Sequence, residues 1–319
     1  MKKKTIVALT ALFLVVLGFA LYLSSNITAK ITDYAMNTQI TITAKGLGSK
    51  KAVEEAVKEV KRLDRLMSVT VKDSDVYKIN NTAPYTAVKV SDEVYSLIEL
   101  ALEVSRKTDG AFDITINPLS ELWNISGENP VVPSEADIAD CLNLVDYKCI
   151  ELDSKNKTVM LKSDGMSITL GAIAKGYAAD RVKDILKDYG IKDGVIDLGG
   201  NVYILGKNKT VGIQTPFKKR GEYYKVCKVS DTSVVTSGSY ERYFEQDGAF
   251  YHHILDPKTG YPATGGFSSC TVICENSALA DALSTAAFVA GRNKAQDIAK
   301  NYGVHIIGYT MDGKVAEFR

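Results

Sequence analysis

The chain has 319 residues, 45% of them hydrophobic and 24% charged, with Gly 24 and Pro 7. That length holds two average domains or one large core, and the composition excludes disordered, collagen-like and coiled-coil chains. Lys and Arg number 39 against 38 Asp and Glu, a net charge of +1, and no basic stripe with interleaved aromatics occurs, which argues against a nucleic-acid partner.

Lys2, Lys3 and Lys4 precede an uncharged run from Thr5 to Leu23. As a helix it would be about 28 Å long, close to the ~30 Å of a bilayer's hydrocarbon core. Residues 1–30 are therefore expected to form an N-terminal signal or anchor. The positive flank places residues 31–319 on the extracytoplasmic side. A cleaved signal peptide is the competing reading, and the run's length, with Phe19, Leu21 and Tyr22 near its end, favours a retained anchor. No cysteine precedes Cys141, so lipid attachment to an N-terminal cysteine is not expected.

From Ile31 onward no linker or repeat divides the chain, and helices alternate irregularly with strands, which predicts one α+β domain over 31–319. Val53, Val57, Val60, Leu63 and Met67 recur at helical spacing, predicting an amphipathic helix over Lys50–Met67. Ser91, followed by Asp92 and Glu93, predicts the start of a second helix running to about Thr108. Ser134-x-x-Asp137 opens a third, and a fourth is predicted from Ala172 to Tyr189, stopped by Gly190. Strands are expected at Gln39–Ala44, Gly194–Leu198, Val202–Leu205, Tyr223–Val229 and Val304–Tyr309. Asp247-Gly248 and Asp312-Gly313 predict hairpin turns.

Asn276–Gly291 reads NSALADALSTAAFVAG, apolar or small on every face, and so predicts a core helix. Asp281 and Thr285 lie four apart on one side of it. An ionised carboxylate there needs a cation or strong donors. Two readings follow from spacing alone: a hard-cation site for Mg²⁺ or Ca²⁺, or a carboxylate hydrogen-bonded to a neighbouring loop. His252 and His253 are adjacent and point to opposite faces if extended, so spacing does not choose between them. Three glycine-bearing turns, Thr108–Asp113, Gly171–Gly176 and Asp197–Asn201, bring backbone N–H groups within reach of an anion, with Lys175 adding charge to the second. Neither G-x-G-x-x-G after a strand, nor G-x-x-x-x-G-K-[ST], nor G-x-S-x-G is present, which removes the common dinucleotide, P-loop and nucleophile-elbow readings. The five cysteines cannot all pair, and Cys270 and Cys274, four apart in an expected strand, are about 13 Å from each other and out of disulfide reach.

Taken in order, Met67-Ser68 with Asp73-Ser74 and Asn80, TDGAFDITINPL with Trp123, LGAIAKGYAAD, IDLGGNVYILG, TSGSYERYF, HHILDPKTGYP and ADALSTAAFV resemble the motifs of the ApbE family, the FAD:protein FMN transferases. The resemblance spans nearly all of Ile31 to Arg319. It implies a single α+β, T-fold-like domain with mixed or antiparallel sheets and packed helices. It further implies Mg²⁺ as cofactor and FAD as substrate, the FMN half passing to a Ser or Thr hydroxyl of an acceptor protein while AMP leaves. The acceptor so implied belongs to a membrane or extracytoplasmic redox system. By the same resemblance the metal ligands fall on the Ala172 carbonyl and the side chains of Asp281 and Thr285, the FAD contacts on Met36, Ala111, Phe112, Asp113, Thr169, Lys175, His253 and Ile254, and the base on His253. With water as nucleophile the same site would be an FAD pyrophosphatase giving FMN and AMP, and without turnover the chain would be a membrane-tethered flavin carrier. Three positions depart from the family pattern. Thr169 and Thr70 stand where an Asp and an aromatic residue are common, and Met36-Asn37-Thr38 replaces Met-Gly-Thr, so that the turn is expected to take positive φ less freely.

Overall fold

The computed structural model describes residues 6–14 and 27–319. Residues 6–14 are helical, much of the Thr5–Leu23 run lies outside the described residues, and no helix among the described residues is long and apolar enough to cross a membrane. In chain order the elements are β1 (Thr28–Ala35), β2 (Thr38–Lys45), α1 (Ser49–Leu66), α2 (Asp75–Thr82), β3 (Val88–Lys89), α3 (Asp92–Lys107), α4 (Asn117–Trp123), α5 (Glu135–Leu142), β4 (Ile150–Asp153) and β5 (Thr158–Leu161). Then come α6 (Ala174–Asp188), β6 (Asp193–Leu198), β7 (Asn201–Leu205), β8 (Lys209–Gln214), β9 (Tyr223–Val229), β10 (Thr232–Gly238), β11 (Tyr243–Gln246) and β12 (Ala249–His252). β13 (Phe267–Cys274), α7 (Ser277–Ala290), α8 (Arg292–Tyr302), β14 (His305–Thr310) and β15 (Val315–Phe318) complete the fold.

An eight-stranded sheet in the order β1-β2-β6-β7-β10-β13-β14-β15, antiparallel throughout, forms the frame. The expected α+β class with antiparallel sheets is what the structure has. Its first hairpin turns through Met36 and Asn37, both left-handed at φ 52° and 57°, between the facing pair Ala35 and Thr38. That is the two-residue hairpin geometry that matches strand twist. The expectation that losing glycine there impedes positive φ is corrected: asparagine takes this conformation readily.

Helices α1, α6 and α7 pack together on one face of the sheet. On the other face the β8–β9 ribbon covers the central strands through Ile204, Ile213, Val229, Val234 and Ile307, all buried. β10 and β13 are consequently buried almost continuously rather than alternately, which is why alternation does not mark β10 in the sequence. Serine caps start two of the helices: the Ser91 hydroxyl accepts from the Val94 N–H and that of Ser74 from the Tyr77 N–H. A separate small core joins α4 and α5 through Leu119, Trp123, Ile138 and Leu255. There the Trp123 Nε1–H donates to the Gly260 carbonyl at 2.8 Å and fixes the Asp256–Gly260 turn.

α6 crosses α7 so closely that a Cβ on Gly176 would lie 2.2 Å from the Ser277 carbonyl oxygen. The obstacle is backbone and cannot rotate away, so Gly176→Ala is expected to cost about 3 kcal/mol and to lower Tm by about 5 °C or more. An unchanged thermal melt would show that the helices separate freely. Trp123→Phe keeps the packing but leaves the Gly260 carbonyl unpaired, for an expected loss of about 1–2 kcal/mol, read by urea denaturation. No change in the urea midpoint would remove that bond from the fold's stability.

Candidate active site

α7 is capped by Asn276, whose Oδ1 accepts from the Leu279 N–H at 2.7 Å, and it carries Asp281 into the core at 4% exposure. The carboxylate is not bare. Its Oδ2 accepts from the Gly176 N–H at 2.9 Å, and Lys175 Nζ stands 3.9 Å from Oδ1. This contact also moves the start of the fourth helix, expected at Ala172, to Ala174. The N–H of Gly176 would ordinarily return to the Ala172 carbonyl, but it is given to Asp281, and the Ala172 carbonyl accepts from no donor among the described residues. One turn along α7, Thr285 Oγ1 lies 3.1 Å from Ser237 Oγ, which in turn is 2.7 Å from Ser284 Oγ.

A free backbone carbonyl, a carboxylate with one oxygen only loosely paired, and a hydroxyl form an all-oxygen donor set that fits Mg²⁺. No group of three His, Cys, Asp or Glu able to hold a metal occurs among the described residues. The α6 N-terminus is a poorer anion cradle than its glycines suggest. The Ala174 N–H is bonded to the Leu170 carbonyl at 2.8 Å and that of Gly176 to Asp281, leaving positive charge to the Lys175 side chain, half-buried and donating to the Gly171 carbonyl at 3.2 Å.

The two adjacent histidines separate clearly. His252 is buried, with Nε2 3.1 Å from the Ala263 carbonyl and Nδ1 accepting from the Ile254 N–H at 3.3 Å, and its ring lies edge-on to Phe288. Both nitrogens are occupied. His253 reaches solvent, and its Nδ1 lies 3.2 Å from the Arg242 carbonyl, which accepts the backbone N–H of His253 as well. A carbonyl only accepts, so the hydrogen bond assigns the proton to Nδ1 and leaves Nε2 with a free lone pair. Loss of hydration among the surrounding protein, then the Arg242 charge, push the His253 pKa down to about 4, with Lys175 adding a smaller effect. The ring's solvent contact limits how far hydration is lost, but either way it is neutral at pH 7.

Ala111 and Phe112 are buried. Asp113, expected as a flavin contact, spends its carboxylate on structure: it accepts from the Thr115 N–H and hydroxyl at 2.8 and 2.6 Å and from the Tyr147 N–H at 2.9 Å, while burial raises its pKa. Thr169 N–H donates to the Ile114 carbonyl and its hydroxyl accepts from the Gly171 N–H, so this threonine ties the Ala111–Asp113 turn to the segment leading into α6. Asn80 clamps the same segment with paired bonds to the Ile168 N–H and carbonyl. Lys258 and Lys294 converge on Asp109, at 2.9 and 3.3 Å, and hold its carboxyl below the usual range.

At the sheet's end, Met36 is half-buried against the core, Thr38 is so close to Gly199 that a side chain on that glycine would overlap it, and the Gly200 carbonyl accepts from the Thr236 N–H. Arg242 Nη2 donates to the Asn37 carbonyl at 3.1 Å. A cleft of about 520 Å³ opens beside this contact, between Asn37, Ile125 and Tyr243. The first hairpin's turn, Gly199-Gly200, Ser237, Ile254 with His253, and the α6–α7 crossing are thereby linked through one chain of contacts. Ser237 and Arg242 are the members that spacing did not single out. Both lie within TSGSYERYF, but their roles come from partners far along the chain.

A sequence profile described as the ApbE family matches residues 36–307. An FAD:protein FMN transferase of Klebsiella pneumoniae is 42% identical over 235 residues, covering 74% of each chain. One from Treponema pallidum is 34% identical over 283 residues, covering 83% of this chain and 78% of its own. Among solved structures, the ApbE protein of Thermotoga maritima superposes with a TM-score of 0.85 at 37% identity, over 92% of this chain and 97% of that one. The flavin transferase ApbE of Vibrio cholerae gives 0.81 at 25% identity over 92% and 96%. On sequence and fold alike, the chain belongs to the ApbE family.

Proposed function

We propose that this chain is an FAD:protein FMN transferase that uses Mg²⁺ to move FMN from FAD onto a Ser or Thr hydroxyl of an acceptor protein outside the cytoplasm. The transfer itself rests on the family and on relatives named for that activity. One observation carries the chemistry: a neutral His253, its proton held at Nδ1 by the Arg242 carbonyl and its Nε2 free, in the charge field of Lys175, which itself faces Asp281. The acceptor hydroxyl attacks the FMN-side phosphorus of FAD, a new P–O bond forms, and the pyrophosphate P–O bond breaks with AMP taking the bridging oxygen. His253 Nε2 takes the hydroxyl proton. Lys175 offsets charge that builds on the phosphoryl oxygens. The Ala172 carbonyl, Asp281 and Thr285 would hold Mg²⁺, which when bound supplies charge neutralisation to the pyrophosphate. The extracytoplasmic, membrane-anchored location is inferred from Lys2–Lys4 ahead of the uncharged run.

Incubation with FAD, Mg²⁺ and an exported flavin-carrying candidate acceptor is expected to leave covalent flavin fluorescence on the acceptor's band in a denaturing gel. Free FMN with no labelled acceptor would favour hydrolysis instead, and unchanged FAD would leave a binding protein. His253→Ala is expected to lose transfer at least about 100-fold with FAD affinity kept. Wild-type transfer in that variant would remove His253 from the mechanism. Because the folded ring titrates below an ordinary histidine, the base stays neutral as pH falls through 6.5, so the acid limb of kcat/KM should lie between the usual histidine value and about 4. A limb at or above pH 6.5 contradicts this. The same depression means that the unfolded chain takes up the proton first on acidification, so His253 favours the fold less as pH drops through that window.

Asp281→Asn keeps an oxygen for the Gly176 N–H but removes the charge. Losing an outer partner of a metal ligand costs 10–100-fold in affinity, so loss of the ligand charge should weaken Mg²⁺ binding by about 100-fold or more, measured by calorimetry. Without metal the melting temperature should change little, because Gly176 and Lys175, and not a cation alone, already compensate the carboxylate. Unchanged Mg²⁺ affinity with a lowered Tm would make Asp281 a purely structural partner.

A further inference from the structure

The turn joining β8 to β9 carries Phe217 in the left-handed region at φ 60° with 56% of its surface exposed. A bulky residue avoids that backbone conformation. It places the Phe217 ring edge-on to Tyr240, Tyr243 and Phe250, at centroid distances of 6.0, 6.2 and 5.5 Å, and Tyr243 and Phe250 are 4.5 Å apart. These rings form a shelf that runs without a break into the 520 Å³ cleft, because Tyr243 belongs to both. Tyr243 faces His252 across the β11–β12 ladder, and the next residue is His253. Tyr34, 66% exposed, stands on the cleft's other wall.

Beside the shelf, Lys218, Lys219 and Arg220 follow one another, all exposed and without an ion-pair partner among the described residues. The turn is nevertheless firmly held. Gln214 Nε2 donates to the carbonyls of Thr215, Lys218 and Lys219, and its Oε1 accepts from the Gly221 N–H. Three cations presented on a preordered turn, next to exposed aromatic rings, match the anatomy of a protein-docking surface: aromatic anchors with a charged rim that selects the partner.

We propose that this shelf and basic turn receive the acceptor protein, and that the segment they bind is extended and acidic, with an apolar side chain beside the reactive hydroxyl. The apolar side chain seats on Phe217 and Tyr243, the acidic flank meets Lys218–Arg220, and the chain then enters the cleft toward His253. The proposal rests on the transfer reading above. It adds to that reading where the acceptor lies and what sequence chemistry selects it.

The test uses two synthetic peptides with a single threonine next to a phenylalanine, one flanked by aspartates and the other by lysines. Each is incubated with the full chain, FAD and Mg²⁺. FMN-peptide is read by mass spectrometry and FAD affinity by flavin fluorescence quenching in the same samples. Wild type should modify the acidic peptide with a KM at least about tenfold below that of the basic one. Phe217→Ala should raise that KM by about tenfold. A triple Lys218→Glu, Lys219→Glu, Arg220→Glu variant should reverse the preference, with FAD affinity unchanged in both variants. Equal KM values for the two peptides in wild type, or an unreversed preference in the triple variant, would overturn the docking surface while leaving transfer intact. Weakened FAD binding in the triple variant would assign the turn to FAD and overturn the proposal. A wild-type dimer that Phe217→Ala converts to monomer in sedimentation would assign the shelf to a second copy of this chain, with the same consequence. If wild type binds FAD and modifies neither peptide, the transfer reading falls, and the docking surface with it.

Discussion

The Asp281–Gly176 hydrogen bond governs the rest of the site. A carboxylate buried in an apolar helix is costly unless strong donors meet it, and here the donor is a backbone N–H taken from the first turn of α6. That single exchange has three consequences. It docks α6 against α7 at a distance only glycine permits, it releases the Ala172 carbonyl from the helix ladder, and it brings Lys175 alongside the carboxylate. Packing, donor set and positive charge are thus one arrangement rather than separate features.

The antiparallel sheet places Arg242 and His253. Its strand turns gather at one end, where the Met36-Asn37 turn takes the Arg242 guanidinium and the Arg242 carbonyl takes the His253 ring. A backbone carbonyl fixing the ring's proton is a rigid device, since it depends on strand geometry and not on a flexible side chain. His252, one residue earlier, uses the same strand to anchor the hairpin against Ala263 and Phe288. The adjacent histidines therefore fall on opposite faces of the chain, His252 held at both ring nitrogens and His253 reaching solvent, as the alternation of an extended backbone requires.

Much of this was legible in the sequence because it depends on local periodicity. The α1 stripe, the Ser91 and Ser134 caps, both Asp-Gly hairpins and the apolar run around Asp281 all emerge where local pattern puts them. What could not be read depends on distant partners. β10 is buried on both faces, so no alternation marks it. α6 begins two residues late because a residue 105 positions away takes its N–H. Asp113, conspicuous in its motif, turns its carboxylate to Thr115 and Tyr147, partners that the motif itself does not reveal. Ser237 and Arg242 acquire roles solely through Thr285 and His253. Motif order identified the family, while the division of labour within each motif needed three dimensions.

The central proposal is that the Ala172 carbonyl, Asp281 and Thr285 together hold one hard cation beside Lys175. Anomalous diffraction from crystals grown with Mn²⁺ in place of Mg²⁺ tests it directly. The expected result is a single strong peak within about 2.2 Å of an Asp281 oxygen, the Ala172 carbonyl oxygen and Thr285 Oγ1, with the Gly176 N–H still bound to the other carboxylate oxygen. A peak elsewhere, or none at this crossing in crystals that hold FAD, would contradict it.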